Sequence, residues 1–318
     1  MRLLERVPFR IPMATRFRGV EAREGVLLRG PAGWGEFSPF PDYPPEACAR
    51  WLAAAQEAAS TPWPSPVRDR VPVNCIVPAV DPRRAHAIVR GSGCRTAKVK
   101  VAEPGQREQD DLARVEAVRD ALGAGGRVRV DANGAWDTET ATRMLRALDR
   151  FDLEYAEQPV ATLEEMAALR RRVDVRLAAD ESVRTAEDPL RIAGLEAADI
   201  VVLKVQPLGG VRAALEVAEA AGLPVVVSSA LETSVGLAAG VALAAALPEL
   251  PYACGLATLS LLDGDVAADP LRHVDGKLPV RRPVVDPEAL AAFTLTGRDA
   301  AAVLDRFDAA VAALREAG

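Results

Sequence analysis

The chain has 318 residues, of which 49% are hydrophobic and 26% are charged, and its formal net charge is −6. This is a globular balance, long enough for a barrel domain with a smaller partner domain. The acidic charge argues against a nucleic-acid partner, but a local site can still be positive and bind an anionic substrate. The four cysteines are scattered without a CxxC pair, which argues against a disulfide framework and against a zinc site.

No segment predicts a membrane span or a signal peptide. The longest uncharged stretch, 233–247, is too short to cross a bilayer and predicts a buried helix. The first residues lack the apolar core of a signal peptide. We therefore expect a cytoplasmic protein with no membrane partner. The sequence leaves the oligomeric state open and is compatible with a monomer.

Residues 1–70 predict a small α+β domain. Segments 25–30 and 33–37 have the pattern of two antiparallel strands joined by a tight turn, and 45–59 has the pattern of a helix. The proline-rich stretch 61–66 then predicts a linker.

From 71 to 285, short apolar runs alternate with helical segments, the pattern of buried parallel strands in βα units. The eight candidate strands are 71–77, 97–101, 128–130, 153–156, 175–178, 200–203, 225–227 and 252–256. Eight units predict an α/β fold with a (β/α)8-type barrel, and an open doubly wound sheet is the structural alternative. The tail, from about 286 to 318, is helical and can join the smaller domain.

The histidines give no acid/base candidate. There are two, His86 and His273, and neither ends a predicted strand. In an enzyme with this pattern, proton transfer would fall to lysines and carboxylates.

Charged residues stand at the ends of successive predicted strands, where the active sites of such barrels lie. In chain order they are Lys98 and Lys100, Asp131, Glu157, Asp180 and Lys204. The two lysines of the first pair are two residues apart and share one side of their strand. Each of the later residues follows the previous one by about one βα unit. Taken singly, these residues are typical of solvated charge pairs, turns or helix caps; their joint order favours a site.

Three converging carboxylates would repel one another without a cation, and oxygen ligands of this kind suit Mg²⁺. A divalent cation and an ammonium group together stabilise the enediolate that forms when a proton is removed next to a carboxylate. A lysine acts as the base where a neighbouring positive charge favours its neutral form, and Lys98 supplies such a charge beside Lys100.

These motifs resemble those of the enolase superfamily, in its muconate-lactonizing-enzyme subgroup. The matching residues are Gly-Trp-Gly-Glu at 33–36, Lys-Val-Lys at 98–100, Asp-Ala-Asn at 131–133, Glu-Gln-Pro at 157–159, Asp-Glu-Ser at 180–182 and Lys204. The resemblance implies an α+β capping domain over a modified barrel. It also implies Mg²⁺ bound by Asp131, Glu157 and Asp180, with Lys100 and Lys204 as the acid/base pair.

Within the subgroup, segments 71–74, 228–236 and 255–258 resemble the menaquinone-pathway dehydratases in their short actinobacterial-type form. The implied reaction is syn elimination of water from a small-molecule carboxylate, 2-succinyl-6-hydroxy-2,4-cyclohexadiene-1-carboxylate. Lys100 would remove the proton and then protonate the leaving hydroxide, while Lys204 would stabilise the enediolate. The candidate substrate contacts are Lys98, Asn133, Ser228, Ser229 and Gly255, for which structural loop roles are the alternative. Segment 12–20 resembles the family's capping loop.

Three other functions remain open at this point. An N-acylamino acid racemase or dipeptide epimerase would use the same two lysines as opposed bases, and the residues named do not separate it from the dehydratase. A Schiff-base aldolase would use a lysine covalently and need no metal. A catalytically idle binding barrel is disfavoured, because five converging charges are costly without a reaction that uses them.

Overall fold

The structure, a computed structural model, describes residues 5–17, 19–183 and 188–316. Its first part is a three-stranded antiparallel sheet of β1 (Glu5–Phe17), β2 (Val20–Gly30) and β3 (Gly33–Phe37). Helix α1 (Pro45–Ser60) packs against β3 with a face of alanines, leucine and tryptophan. The two predicted strands and the predicted helix of this region are confirmed.

The segment 12–20, which was predicted to resemble a capping loop, is the closed end of a hairpin, and its capping role stays a prediction. Strand β1 continues to Phe17, which pairs with Val20 at the start of β2, and residue 18 lies outside the described residues. The pairing shifts register after Pro12, which has no N–H to donate to the ladder.

Strands and helices then alternate as predicted. After a short strand β4 (Arg70–Pro72), seven parallel strands form one sheet in chain order: β5 (Cys75–Val77), β6 (Thr96–Lys100), β7 (Arg127–Asp131), β8 (Leu153–Glu157), β9 (Leu177–Ala179), β10 (Ile200–Leu203) and β11 (Val225–Val227). The intervening helices are α2 (Pro82–Ser92), α3 (Glu108–Leu122), α4 (Thr138–Leu148), α5 (Leu163–Arg170), α6 (Asp188–Leu195), α7 (Val205–Leu208), α8 (Val211–Ala221) and α9 (Ser234–Ala246). Short 3-10 helices lie at Asp149–Phe151 and Thr258–Leu261.

The first predicted strand, 71–77, is two strands. Strand β4 pairs antiparallel with β12 (Lys277–Pro279), whereas β5 pairs parallel with β6. The ladder changes partner between them, because the N–H of Val73 donates to the carbonyl of Gly276 and that of Asn74 donates to Cys254. The single-strand prediction is therefore wrong at this point.

The eighth predicted strand, 252–256, is reduced to isolated bridges in the described part of the chain. Cys254 exchanges backbone hydrogen bonds with residues 72 and 74, at 2.7 and 3.0 Å, beside the first strand. Gly255 bonds to Val227 and Ser229, at 2.8 and 3.1 Å, beside the last. These contacts join the two edges of the parallel sheet, which is curled. The predicted α/β class is thus confirmed, with seven strands described in the sheet.

Alternation along the strands divides their side chains between two faces. Residues such as Val130, Ala156 and Val201 pack into the main core, while Tyr155, Ile200 and Val202 form a separate cluster on the inner face. Because side chains two apart share a face, the inner face also carries the charged residues at the strand ends. The fifth strand begins two residues later than predicted, at Leu177, whose N–H donates to Asp199.

Helix α9 confirms the buried helix predicted at 233–247, and nearly all of its residues are buried. Among the described residues, no helix has the length and apolar character needed to cross a membrane. The tail forms α10 (Pro287–Phe293) and α11 (Gly297–Glu316). Helix α11 lies along α1, with the ring of Phe307 5.2 Å from that of Phe37. The proposed domain boundaries remain predictions.

Candidate active site

The five residues predicted to carry the chemistry come together at one end of the parallel sheet. Lys100, Asp131 and Glu157 are in direct register on β6, β7 and β8. Asp180 directly follows β9 and Lys204 directly follows β10. Each is buried, with between 1% and 7% of its surface exposed.

The ammonium groups lie among the carboxylates. Lys98 Nζ is 2.5 Å from Glu157 Oε1 and 3.4 Å from Asp131 Oδ2, and Lys100 Nζ is 3.1 Å from the same Asp131 oxygen. On the far side, Lys204 Nζ is 2.5 Å from Asp180 Oδ2. Lys100 and Lys204 therefore stand on opposite sides of the three acids, separated by the strands β7, β8 and β9.

Burial and mutual charge set the protonation of these groups. Burial raises the pKa of Glu157 to about 7, and Asp131 and Asp180 add to that effect against the opposing charge of Lys98. For Asp131, burial is outweighed by Lys100 and Lys98, which lower its pKa to about 2. For Lys98, burial favours the neutral amine, but Glu157 and Asp131 prevail and raise its pKa. The carboxylates thus need positive charge close by.

The donor set fits a hard divalent cation. Three carboxylates from adjacent strand ends offer oxygen ligands, and Glu157 Oε2 is buried without a hydrogen-bond partner. Across residues 5–17, 19–183 and 188–316, no three acidic, histidine or cysteine side chains are already gathered in the geometry of a metal site. The ammonium groups of the three lysines contact the same carboxylates and neutralise them here.

Two residues of the recognised motifs position the acids, a role the sequence did not reveal. Gln158 is buried, and its Oε1 accepts from the N–H groups of Asp180 (2.9 Å) and Ser182 (3.3 Å). Asn133 donates its backbone N–H to Asp131 Oδ1 and its amide to Glu181 Oε1, both at 3.0 Å. Both have positive φ, 35° and 46°, which is uncommon outside glycine. Their side chains therefore brace the turns that present the acids.

Four of the five predicted substrate contacts border a cavity of about 40 Å³ between the lysines and the loop after β11. The lining includes Lys98, Asn133, Ser228 and Ser229, together with Phe40 from the first 70 residues. A larger cavity of about 670 Å³ adjoins it at Lys100 and Asn133. The lining of the smaller cavity combines charged residues with apolar ones, among the latter Phe40, Ile76, Ala230 and Leu231.

Gly255, the fifth predicted contact, has its backbone groups engaged within the fold. Its N–H donates to Val227 and its carbonyl accepts from the N–H of Ser229. A Cβ at this position would lie 2.5 Å from Ser228 Oγ, so the absence of a side chain permits the close approach of the two loops. A contact with substrate stays a prediction for this residue.

A signal in the composition points to the same place. The chain contains only four lysines, Lys98, Lys100, Lys204 and Lys277, among 39 basic residues. Three of the four lie in this cluster and are buried. In a sequence that uses arginine almost everywhere else, lysine at these three positions marks them as candidate site residues, because an amine can lose its proton more readily than a guanidinium.

This chain has a curled α/β sheet with acids and lysines at the ends of its strands. The same architecture occurs in a large group of enzymes, and two family matches identify that group. Residues 8–59 match the enolase N-terminal domain-like family and residues 82–284 match the enolase C-terminal domain-like family. The chain belongs to the enolase superfamily, whose enzymes are typically Mg²⁺-dependent.

Within this superfamily, the chain is most usefully compared with two curated relatives of the same name. It is 70% identical over 283 residues to an o-succinylbenzoate synthase from Thermobifida fusca (strain YX), covering 89% of each chain. It is 55% identical over 285 residues to an o-succinylbenzoate synthase from Mycolicibacterium smegmatis, covering 89% of this chain and 88% of that one.

Solved structures support the fold alone. A muconate lactonizing enzyme from Pseudomonas fluorescens, complexed with muconolactone, aligns with a TM-score of 0.80 at 24% identity, covering 92% of this chain and 98% of that one. The L-Ala-D/L-Glu epimerase from Bacillus subtilis aligns with a TM-score of 0.75 at 20% identity, covering 88% and 96%. At these identities the two structures show the fold and assign no activity to this chain.

Proposed function

We propose that this chain catalyses the o-succinylbenzoate synthase reaction. In this reaction 2-succinyl-6-hydroxy-2,4-cyclohexadiene-1-carboxylate loses water in a syn elimination that depends on Mg²⁺, in menaquinone biosynthesis. The observation that carries the proposal is the placement of Lys100 and Lys204 on opposite sides of three buried acids. The curated relatives at 70% and 55% identity bear this name.

Lys100 is the residue that moves the proton. In its neutral form it accepts the proton from C1, next to the carboxylate, and the electrons of the C1–H bond pass into the enediolate. The C6–O bond then breaks, and the Lys100 ammonium protonates the departing hydroxide to give water. Because a syn elimination removes both groups from one face of the ring, a single residue on that face serves both steps.

Lys204 supplies a fixed positive charge from the other face. Its ammonium group is held 2.5 Å from Asp180, which keeps it oriented in a buried setting where a charge acts strongly on a nearby enediolate. The elimination is favourable because its product is aromatic. Since Lys100 carries out both proton transfers, no proton needs to be delivered from the Lys204 side.

Asp131, Glu157 and Asp180 would hold the cation. When bound, Mg²⁺ neutralises these carboxylates and offsets the negative charge that develops on the substrate carboxylate. Asn133 and Gln158 keep two of the acids aimed, through the hydrogen bonds to Asp131 and to the backbone of Asp180. Lys98 remains paired with Glu157 and contributes positive charge beside Lys100.

We also propose a two-part organisation. Residues 71–285 form a modified (β/α)8 barrel in which 254–255 replace the eighth strand. Residues 1–70, joined by the tail from about 286, form the capping domain. The contacts of α11 with α1 and the bridges of Cys254 and Gly255 support this division. The cytoplasmic location stays a prediction.

The decisive experiment supplies the purified chain with the cyclohexadiene carboxylate and, separately, with an N-acylamino acid, each with Mg²⁺ or with EDTA. We expect dehydration that requires Mg²⁺. Racemisation of the amino acid without dehydration would instead assign the racemase function. Full activity in EDTA, with borohydride trapping of a carbonyl substrate, would identify a Schiff-base enzyme.

A further inference from the structure

The loop that follows β11 forms the apolar wall of the cavity in a strained conformation. Ala230 and Leu231 line the cavity, and Leu231 has a φ of 65°. A bulky residue in the left-handed region is strained and persists only where its surroundings hold it. Within the loop, the N–H of Ala230 donates to the Glu232 side chain, and the N–H of Leu231 donates to the Ser229 hydroxyl oxygen.

A buried arginine of the antiparallel sheet holds this loop. Arg23, on β2, is 1% exposed, and its Nε donates to the carbonyl of Leu231 at 3.1 Å. Its Nη2 donates to the carbonyl of Ser38. The guanidinium also lies 4.3 Å from the centre of the Phe40 ring, which lines the same cavity. One planar group therefore fixes both the strained turn and the aromatic residue beside it.

A buried glutamate holds the other end of the loop. Glu36, on β3, is 2% exposed and accepts from the Thr233 hydroxyl at 2.5 Å and from the N–H groups of Thr233 and Gly236 at 3.1 and 3.0 Å. It thus caps the first turn of α9 from another part of the chain. Backbone N–H groups at the start of a helix lack partners within it, and a carboxylate satisfies them well.

We infer that Arg23 and Glu36 are positioning residues that clamp residues 229–233 and thereby set the affinity for substrate, without taking part in proton transfer. The hydrogen bonds described above run from Arg23 to Leu231 and Ser38, and to Glu36 from Thr233 and Gly236. Burying a charged side chain costs free energy that its hydrogen bonds only offset, so two buried charged residues are a costly way to stabilise a loop. The hydrogen bonds that Arg23 donates and those that Glu36 accepts instead fix one geometry of the loop. The substrate ring would rest against this loop.

The inference rests on the proposed function for its effect on KM, and on the structure alone for its effect on the loop. The test compares Arg23→Lys, which keeps the charge and loses the fork, with Arg29→Lys on the same strand. Arg29 is a matched control because its side chain is 64% exposed. Glu36→Gln is the second variant, so that the idea stays testable if Arg23→Lys does not fold.

Dehydration kinetics and hydrogen exchange of 229–236 are measured for each variant with Mg²⁺. Arg23→Lys and Glu36→Gln should each raise KM roughly tenfold, as expected for one charge-assisted hydrogen bond, with kcat little changed. Both should accelerate exchange in 229–236, and Arg29→Lys should do neither. A lower melting temperature with KM and exchange unchanged would overturn the inference and leave a merely structural role. If the wild type does not dehydrate the substrate, the proposed function fails, and the exchange comparison alone decides whether the clamp exists.

Discussion

Replacing Lys100 with methionine is the perturbation most informative about the chemistry. Methionine nearly preserves the length and volume of the buried side chain, which is 4% exposed, and removes only its amine. A general base or acid contributes roughly 10²–10⁴-fold to a rate. We therefore expect kcat for dehydration to fall by about this factor, equivalent to about 3–5 kcal/mol of barrier.

The same substitution changes the charge balance of the cluster. Three lysines face three carboxylates, and removing Lys100 leaves Asp131 paired with Lys98, whose Nζ lies 3.4 Å from Asp131 Oδ2. Uncompensated buried charge is destabilising, so the variant should be less stable than the wild type without metal. Added Mg²⁺ should raise its melting temperature more than it raises that of the wild type.

The assay is the initial rate of product formation at saturating substrate and Mg²⁺, with circular dichroism to confirm folding. Lys277→Met is the matched control, since Lys277 is the one lysine outside the cluster and is exposed on β12. It should retain the wild-type rate. A folded Lys100→Met enzyme with a rate within a fewfold of the wild type would refute the assignment of Lys100 as the proton-transfer residue.

Three further predictions concern other parts of the molecule. Lys204→Met should lower kcat roughly 10²–10³-fold, the loss expected for a charge that stabilises an anionic intermediate, and Lys204→Arg should retain more activity; equal losses would indicate that Lys204 transfers a proton. Burial raises the pKa of Glu36 from an ordinary value of 4.5 to about 7, so the folded state binds the proton more tightly than the unfolded state. Wild-type stability relative to Glu36→Gln should therefore fall as the pH rises from about 4.5 to 7, by up to about 3 kcal/mol in denaturant titrations, and a constant difference would contradict this. Gly35→Ala should destabilise by about 3 kcal/mol, because its Cβ would lie 1.9 Å from the carbonyl oxygen of Ala55, whereas Gly91→Ala in open space within α2 should stabilise by about 0.5–1 kcal/mol; similar melting temperatures for the two variants would be incompatible with this packing.

The acids and lysines were predictable because each stands at the end of an apolar run, one βα unit from the next. Parallel strands bring such ends to one edge, so the placement of Asp131, Glu157 and Asp180 along that edge follows from the order of the βα units. The register confirms the principle, since Lys100, Asp131 and Glu157 are paired directly across three strands.

Other features depend on contacts that leave no local pattern. The strand predicted at 71–77 divides because Val73 and Asn74 bond to Gly276 and Cys254, about 200 residues and 180 residues later in the chain. The hydrogen bond from Arg23 to Leu231 spans 208 residues, and the sequence around Arg23 has no pattern that predicts it. The predicted eighth strand, 252–256, forms isolated bridges in place of a continuous ladder.

In the proposed reaction, this chain removes the proton from the carbon next to the substrate carboxylate. The most direct measurement is the rate of a single turnover with Mg²⁺, using substrate that carries hydrogen or deuterium at C1. We predict that the deuterated substrate reacts several-fold more slowly and that both give o-succinylbenzoate. Equal single-turnover rates, or no dehydration of either substrate, would contradict the claim.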